Sequence, residues 1–399
     1  MLDRQNCPYR LSTFVHSNLN RRLGRLLRFL LSLLLLPQLP AYAQSVHQLY
    51  YNNVSWVDQN LTALTGGPVP AQETGIAAFY TTPNQQFHVY YVAASDQHVH
   101  QLYWNKVNWS DQDLTAVTAG MSAGLATEVS GFAIGNLQYV FFLGSDLHVH
   151  MYSYNNISWS DQDITLAGGG VTTDFQNMLA FATKPNNQFH VYYLANNSNA
   201  VHQLYFNGTS WSDQNLSALT GLVGNRTWTA GFAIGNQQHV FLSGYDPSDK
   251  VHLYHLYYNN IKWISQDVTA KVGGLPLGAA TGIAAYRVPG TSQIEAYAIT
   301  NDFDVHQYTL KSGVWSDTDL TATTGGPGGA ALSQITACAT TPNKQFHMFY
   351  EPPTFGDVYQ NYFNNISWSS EDLGAPSFQS GGMASFAISN YQHVFYLGP

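Results

Sequence analysis

Cysteines and basic residues are scarce in this chain of 399 residues, which has two Cys and 15 Lys or Arg against 24 Asp or Glu. Phosphate binding needs clustered cations, so nucleic acid and anionic membranes are poor candidate partners. Cys7 lies in a segment that we expect to be removed, which leaves Cys338 alone. Without a disulfide, stability has to come from packing of the chain.

Signatures of common catalytic sites are also missing. The chain contains no Gly-x-Ser-x-Gly, phosphate loop or nucleotide fingerprint. A glycosidase needs two specific carboxylates in one pocket. The acid pairs Asp111/Asp113 and Asp161/Asp163 recur along the chain, once as Asp213/Asn215, and we interpret them as hydrogen-bonding groups of turns. We therefore expect no catalysis, and a glycan-cleaving enzyme is the weaker alternative.

No apolar run is long enough to span a bilayer, which needs about 20 residues. The apolar run from Phe29 to Leu36 follows four arginines and precedes Ala41-Tyr42-Ala43, which is the pattern of a secretory signal peptide. We expect residues 1–43 to be removed and a secreted protein, extracellular or periplasmic, to begin near Gln44. Residues 44–399 carry 9 basic and 23 acidic residues, a net charge of −14.

The chain is rich in one repeated phrase, of which Ser158-Trp159-Ser160-Asp161-Gln162-Asp163 is a copy. Seven such tryptophans follow one another at intervals of 50 to 53 residues: Trp56, Trp109, Trp159, Trp211, Trp263, Trp315 and Trp368. A period near 50 indicates a repeat architecture, because each unit buries its apolar face against its neighbours. We expect these tryptophans to pack between successive units.

Each unit has the pattern of four short strands. In one copy they cover residues 75–79, 86–92, 99–104 and 109–115, separated by turn residues. Seven such units predict an all-β fold, a single seven-bladed β-propeller of residues 44–399. The chain begins with strands of the third and fourth type and ends with strands of the first and second type. Residues 46–62 should therefore join residues 383–397 and close the ring.

Histidines recur at fixed positions of the unit, where Tyr or Glu replaces them in some copies. This substitution favours a packed or stacking role over a metal ligand. The pairs His98/His100 and His148/His150 have the spacing of two zinc ligands on one strand face, but the sequence shows no third ligand. The sequence thus predicts neither a metal site nor another cofactor.

The unit resembles that of the fucose-specific propeller lectins. His88-Val89-Tyr90, Gln101-Leu102-Tyr103-Trp104 and Trp109 are similar to the family's Arg-Val-Tyr strand, Glu-x-x-Trp strand and Gly-Trp. The family includes six-bladed fungal and bacterial members and seven-bladed bacterial relatives. The resemblance implies a propeller with a sugar between neighbouring blades, where an Arg and a Glu bind its hydroxyls and aromatic rings cover its apolar face.

In this chain His88 takes the place of the family's Arg, Gln101 that of its Glu, and Trp104 matches its Trp. The resemblance thereby implies four pairs of ligand-binding residues: His88/Gln101, His190/Gln203, His347/Gln360 and His393/Gln48. The third blade, with Tyr139 and Met151, should not bind through this pair. The alternative interpretation of each pair is a cross-strand hydrogen bond inside a blade.

Two functions remain open on these grounds. The first is a secreted, multivalent, non-catalytic carbohydrate-binding protein whose partners are glycans or glycoconjugates. Its sites should prefer neutral, fucose-like or methylated sugars, because neutral His and Gln bind hydroxyls and the acidic surface disfavours acidic sugars. The second is an exported scaffold for protein–protein interaction without a sugar site. Neither the sugar nor an oligomeric state follows from the sequence, and an oligomer stays open.

Overall fold

The computed structural model describes residues 44–399 except 73, 125–126, 174–176, 197, 223–225, 279–280, 331, 354–355 and 379–380, and it leaves out the side chains of 226–228. The predicted signal peptide, residues 1–43, lies outside the described residues. Residues 44–399 form one compact unit.

Seven antiparallel sheets of four strands make up the fold, and each sheet is one blade of a propeller. We number the blades by their tryptophans, so that blade 1 carries Trp56. In blades 2, 3 and 4 the strands follow one another along the chain from the inner to the outer strand. They are β3 (Ala77–Tyr80), β4 (Phe87–Val92), β5 (Val99–Trp104) and β6 (Trp109–Asp113) in blade 2; β7 (Val129–Ile134), β8 (Leu137–Leu143), β9 (Val149–Tyr154) and β10 (Trp159–Asp163) in blade 3; and β11 (Leu179–Ala182), β12 (Phe189–Leu194), β13 (Val201–Phe206) and β14 (Trp211–Asn215) in blade 4.

The remaining blades have the same order of strands. They are β15 (Arg226–Ile234), β16 (Gln237–Tyr245), β17 (Val251–Tyr258) and β18 (Trp263–Asp267) in blade 5; β19 (Ile283–Arg287), β20 (Ile294–Ile299), β21 (Val305–Lys311) and β22 (Val314–Asp319) in blade 6; β23 (Ile335–Ala339), β24 (Phe346–Tyr350), β25 (Asp357–Phe363) and β26 (Trp368–Pro376) in blade 7; and β27 (Met383–Ile388), β28 (Tyr391–Gly398), β1 (Ser45–Tyr51) and β2 (Trp56–Asn60) in blade 1.

Blade 1 closes the ring, because it combines both ends of the chain. β1 pairs with β28 from Ser45 opposite Gly398 to Tyr51 opposite Gln392. The inner strand β27 contacts both β23 and β3, so the inner strands follow one another round the whole ring. The predicted seven blades and the predicted closure are confirmed, and this closure leaves no blade with only half of its strands.

The inner strands are short and rich in small residues because the blades crowd together near the axis. At Gly131 a Cβ atom would lie 2.8 Å from the carbonyl oxygen of Tyr139 and 3.0 Å from the ring of Phe79 in blade 2. Only glycine allows this approach of two blades. The small first strand of the repeat therefore has a steric cause.

In the described part of the chain, six helices of five residues follow the outer strands. They are α1 (Leu61–Thr65), α2 (Leu114–Thr118), α3 (Ile164–Gly168), α4 (Leu216–Thr220), α5 (Val268–Val272) and α6 (Leu320–Thr324). The repeated Asp or Asn before each helix accepts a hydrogen bond from a backbone N–H of its first turn, as Asp113 does from Ala116 at 2.8 Å. One turn is too short for helical periodicity, so the sequence predicted a fourth strand as far as Thr115, with the acids as hydrogen-bonding groups of turns, and no helix.

Candidate functional site

All four predicted His/Gln pairs form within their blades, across the two middle strands. In each pair the Gln Nε2 lies close to the His Nδ1: 2.8 Å for Gln101 and His88, 2.8 Å for Gln203 and His190, 2.7 Å for Gln360 and His347, and 2.9 Å for Gln48 and His393. Every pair is thus the cross-strand hydrogen bond of the alternative interpretation. Whether a pair also binds a sugar depends on what the neighbouring blade places beside it.

The histidine of each pair is neutral because of burial. Gln101 donates to Nδ1 of His88, and Nε2 of His88 lies 3.1 Å from Oγ1 of Thr81, which itself donates to Asn84. These partners assign the Nε2–H tautomer. Burial lowers the pKa of His88 to about 3. A neutral imidazole bonded to an amide gives the site polarity without charge.

A second glutamine, which the sequence analysis missed, reaches three of these pairs from the following blade. Gln101 donates from Nε2 to Oε1 of Gln138 at 2.8 Å. Two equivalent bonds join Gln203 to Gln238 at 2.5 Å and Gln360 to Gln392 at 2.7 Å. The second glutamine occupies the position directly before the recurrent His or Tyr of the second strand. Three interfaces between blades, 2/3, 4/5 and 7/1, therefore contain a His–Gln–Gln group.

A cavity lies over this group at two of these interfaces. The cavity of interface 2/3 has a volume of about 470 Å³, and that of interface 7/1 about 650 Å³. One blade provides the His and Gln of the pair, and the next blade provides the second Gln and the motif Trp. The walls of the first cavity include Gln86, Tyr103, Gln112, Tyr154 and Trp159. Those of the second include Tyr51, Trp56, Gln345, Tyr362 and Glu371.

An apolar side chain takes the place of the second glutamine in the other four blades: Phe87, Phe189, Ile294 and Phe346. At interface 1/2 the ring of Phe87 lies 4.6 Å from the ring of His393. At interface 3/4 the ring of Phe189 lies 4.4 Å from that of Tyr139. At these two interfaces a phenyl ring covers the residue that forms the base of a cavity elsewhere. We call the four interfaces with an apolar residue at this position closed and the other three open.

Trp104 lies at a closed interface. It occupies the position in blade 2 that Tyr154 has in blade 3 and Tyr51 has in blade 1, opposite the motif Trp. Its ring packs at 6.0 Å from Trp109, in the same apolar cluster as Phe87. The structure therefore places Trp104 beside the His393/Gln48 pair, on the opposite side of the blade from Gln101. The ring of Phe87 covers His393 of this pair, so the interface beside Trp104 has no open cavity of the kind seen at interface 2/3.

The burial of the motif tryptophans follows the same division at six of the seven interfaces. Each lies against an aromatic ring of the preceding blade, as Trp211 lies 6.4 Å from Phe141 and Trp159 lies 6.4 Å from Tyr90. Three of the four at closed interfaces are buried, with 6 to 9% of their surface exposed: Trp109, Trp211 and Trp315. The fourth, Trp368 at interface 6/7, is partly buried. The three at open interfaces are only partly buried: Trp56, Trp159 and Trp263. The expected packing role is therefore combined with an accessible ring face at the open interfaces.

Acid is expected to destabilise the fold between pH 6.5 and about 4. Burial lowers the pKa of His190, His347 and His393 to about 4 each, whereas histidine in an unfolded chain titrates near 6.5. Over this window the unfolded chain binds more protons, so the free energy of unfolding falls as the pH falls. The raised pKa of His100, His150 and His306 does not compensate, because their contribution is already complete below pH 6.5.

Thermal melts at a series of pH values measure this effect. The melting temperature should drop steadily from pH 6.5 to 4.5, because the four paired histidines outweigh the opposite effect of Glu128, whose pKa burial raises to about 8. A melting temperature that does not change over this range would show that the paired histidines are not neutral in the fold.

No protein-family model and no curated protein matches the chain. Among solved structures, AofleA from Arthrobotrys oligospora is similar over 89% of this chain and 94% of its own, with a TM-score of 0.52 at 11% identity. A fucose-specific lectin from Aleuria aurantia is similar over 67% of this chain and 86% of its own (TM-score 0.47, 16% identity). For the SapL1 lectin in complex with alpha methyl fucoside the shares are 77% and 97% (TM-score 0.47, 17% identity).

Among the described residues, no helix is long and apolar enough to cross a membrane. The likeness to AofleA extends over most of both chains and shows a shared fold. The solved structures similar to this chain include fucose-specific lectins, the group whose repeat unit its sequence resembles.

Proposed function

We propose that this protein is a non-catalytic, multivalent carbohydrate-binding protein with sugar sites at the open interfaces 2/3, 4/5 and 7/1. The observation that carries the proposal is the pair of cavities between blades, each with a His–Gln–Gln group and a partly exposed Trp. Interface 4/5 has the same group in His190, Gln203 and Gln238, and we include it on that ground. The pair His393/Gln48, which Phe87 covers, is not included.

The chemistry of the cavities favours a neutral sugar. The bonds within the group use the nitrogen of Gln101 and the oxygen of Gln138, which points to the Gln101 oxygen and the Gln138 nitrogen as groups for a ligand hydroxyl. A hydroxyl can both donate and accept. The buried pairs form the base of the site, and most of the contact with a sugar falls to the wall residues, such as Tyr103 and Gln112.

The apolar part of each cavity favours a deoxy or methylated sugar. The rings of Tyr154 and Trp159 provide faces for sugar C–H groups, and Val117 and Ile157 at the same cavity are exposed to solvent. A methyl group on the sugar would remove part of this apolar surface from water, which stabilises the complex by about 25 cal/mol per Å². Fucose, which is a 6-deoxy sugar, and O-methylated hexoses have this combination of hydroxyls and an apolar edge.

The proposal extends to export of the chain. We propose that residues 1–43 are a signal peptide and that residues 44–399 act outside the cytoplasm, where glycoconjugates are displayed. Three weak sites on one rigid ring bind such a surface more tightly than one, because the first contact raises the effective concentration of the others.

Calorimetry with neutral monosaccharides tests the sites. We expect three equivalents of fucose or a methylated hexose per chain. Gln203→Ala should reduce this number to two, because it removes the polar base of interface 4/5. Gln48→Ala is the matched control, since it removes the same type of residue at a closed interface and should leave three equivalents. Equal stoichiometry in both variants would contradict the assignment of sites.

An exported scaffold for a protein partner is the second candidate function. The observation in its favour is a set of exposed apolar residues just before the motif Trp in six of the seven blades. Five lie two residues before it, namely Val54, Val107, Ile157, Ile261 and Ile366, and Val314 lies one residue before it. Such residues mark surfaces that bind other molecules when they form a patch. A glycan array separates the two functions, because a scaffold without a sugar site would retain no glycan.

A further inference from the structure

Histidines and aspartates meet at a second place in blades 2 and 3, at the turn that joins the two middle strands. In blade 2 the group consists of Asp96, His98, His100 and Asp113, and blade 3 repeats it as Asp146, His148, His150 and Asp163. Both groups lie at the start of the third strand and the end of the fourth. His88 lies near the opposite end of β4, in the cavity of interface 2/3. They therefore form a site separate from the sugar cavities.

Three side chains in each blade, an Asp, a His and a second Asp, bring one ligand atom each within 4.8 Å of one another, and the second His faces the aspartates. In blade 2 His98 Nδ1 lies 2.8 Å from Asp113 Oδ2, and His100 Nε2 lies 3.9 Å from Asp113 Oδ2 and 4.0 Å from Asp96 Oδ2. Four ligands at about 2.0 Å from a tetrahedral ion lie roughly 3.3 Å apart. The observed separations lie on either side of that value. Small side-chain rotations therefore suffice to form a tetrahedral set of two imidazoles and two carboxylates.

The distances in blade 3 are of the same kind. His148 Nδ1 lies 2.7 Å from Asp163 Oδ2 and 3.8 Å from Asp146 Oδ2. His150 Nε2 lies 3.2 Å from Asp146 Oδ2. The same four residue types thus meet twice at equivalent positions of the repeated unit.

A buried nitrogen without a partner points into the group of blade 2. His100 is 4% exposed, and its Nε2 has no hydrogen-bond partner among the described residues. An unsatisfied polar atom costs stability when it is buried, so the fold should provide something for it. The atoms that face it, Asp96 Oδ2 and Asp113 Oδ2, are too far away to accept a hydrogen bond, and they lie slightly farther off than two ligands of one tetrahedral ion.

A third aspartate orients this histidine. Both carboxylate oxygens of Asp111 lie 3.1 Å from Nδ1 of His100, and Asp161 Oδ1 lies 3.2 Å from Nδ1 of His150. A carboxylate that accepts the Nδ1 proton leaves the lone pair of Nε2 free, which is the arrangement found behind most histidine ligands of metals. The repeated acid pair of the unit therefore has two tasks here: Asp111 holds the histidine, and Asp113 provides an oxygen.

The second oxygen of Asp113 is already in use. Its Oδ1 accepts the backbone N–H of Ala116 at the start of α2, so Oδ2 alone faces the histidines. The cap fixes the carboxylate in place before any ion arrives. Within the described residues no Lys or Arg forms an ion pair with the acids of either group, and their charge faces only histidine.

We propose that blades 2 and 3 each bind one divalent transition-metal ion of the Zn²⁺ type, through Asp96, His98, His100 and Asp113 in blade 2 and Asp146, His148, His150 and Asp163 in blade 3. Imidazole nitrogens favour Zn²⁺ over the harder Ca²⁺ and Mg²⁺, which take oxygen ligands. Each ion adds positive charge to an acidic part of the ring and links a turn to the outer strand of its blade. This inference does not rest on the proposed function.

Equilibrium dialysis of the purified protein against Zn²⁺, without a polyhistidine tag, tests the proposal by the number of ions bound per chain. We expect two equivalents for the unmodified protein, one for Asp96→Asn, and none for Asp96→Asn/Asp146→Asn. Both aspartates lie on exposed turns, so circular dichroism should show an unchanged fold. Blade 4 is an internal negative control, because Ala200 and Asn215 stand there in place of the first His, His98, and the capping Asp, Asp113.

A positioning test distinguishes a built site from loose surface binding. Asp111→Asn should weaken Zn²⁺ binding at blade 2 about 10- to 100-fold and leave blade 3 unchanged, because Asp111 acts through His100 and does not touch the ion. Zn²⁺ should also raise the melting temperature of the unmodified protein, and Ca²⁺ at the same concentration should not. Fewer than one equivalent of Zn²⁺ on the folded protein, or two equivalents on the double variant, would overturn the proposal.

Discussion

Trp211→Ala should lower the free energy of unfolding by about 3–5 kcal/mol, the usual cost of removing a large buried aromatic side chain. Trp211 is 6% exposed and lies against Phe141 of the preceding blade and against Phe189 and Phe206 of its own. Its Nε1 also donates to Gln162 at 3.3 Å. The residual cavity would separate two blades, which the chain cannot draw together without bending both sheets. Chemical denaturation measures the loss.

Trp159→Ala is the matched control, because the same motif residue lies there at an open interface. Its ring lines a cavity and is already partly in contact with water, so its removal should destabilise the fold less. It should, however, remove the sugar site of interface 2/3 and leave the other two. A Trp211→Ala variant that unfolds like the unmodified protein would show that the buried tryptophans are not what holds blades together.

Conversion of the open interfaces into closed ones should abolish sugar binding altogether. Three of the four closed interfaces contain Phe where the open ones contain Gln138, Gln238 and Gln392, so Gln→Phe at these three positions fills each cavity with a ring that the fold already accepts elsewhere. Tyr90 and Tyr192 should become Phe in the same variant, because each donates its hydroxyl to the lost glutamine and a buried donor without an acceptor costs about 1–3 kcal/mol. Phe141 and Phe241 have that position in blades 3 and 5.

Calorimetry with the sugar that the unmodified protein binds best provides the measurement. We expect no detectable heat of binding for the converted protein, and one equivalent fewer for Tyr90→Phe/Gln138→Phe alone. The melting temperature of the converted protein should stay near that of the unmodified one, since apolar burial replaces a polar network. Full sugar binding by a folded, converted protein would show that the sugar sites do not lie at the interfaces between blades.

The architecture could be predicted from the sequence because it repeats. Seven tryptophans at one spacing, turn residues between β-branched runs, and the split phase of the two ends determine the number of blades and the closing pair. The His/Gln pairs could be located as well, since Gln101 and His88 are neighbours on adjacent strands and strand register follows from the turn between them. These inferences need only the strand pattern within one unit and the recurrence of that pattern along the chain.

Which side chains face each other across two neighbouring blades could not be predicted in the same way. Whether His88 and His393 lie under a cavity or under a ring depends on Gln138 or Phe87, which stand in a different unit and pack across a face that the sequence does not align. A signal was present in the residue before the recurrent His or Tyr, which is Phe or Ile in four blades and Gln in three. The helices of one turn were missed for another reason, since five residues cannot display a period of 3.6.

The residue before the recurrent His or Tyr of the second strand alternates between Gln and Phe from blade to blade. A ring with an odd number of blades cannot continue this alternation all the way round. Starting from blade 1, the order is Gln, Phe, Gln, Phe, Gln, then Ile in blade 6, then Phe. Blade 6 is therefore the member without a counterpart, and it is also the one with Glu295 in place of the histidine. The odd number of blades thus limits the number of sugar sites per ring. A six-bladed ring of these units would offer the same three sites, so the seventh blade widens the spacing between the sites and adds none.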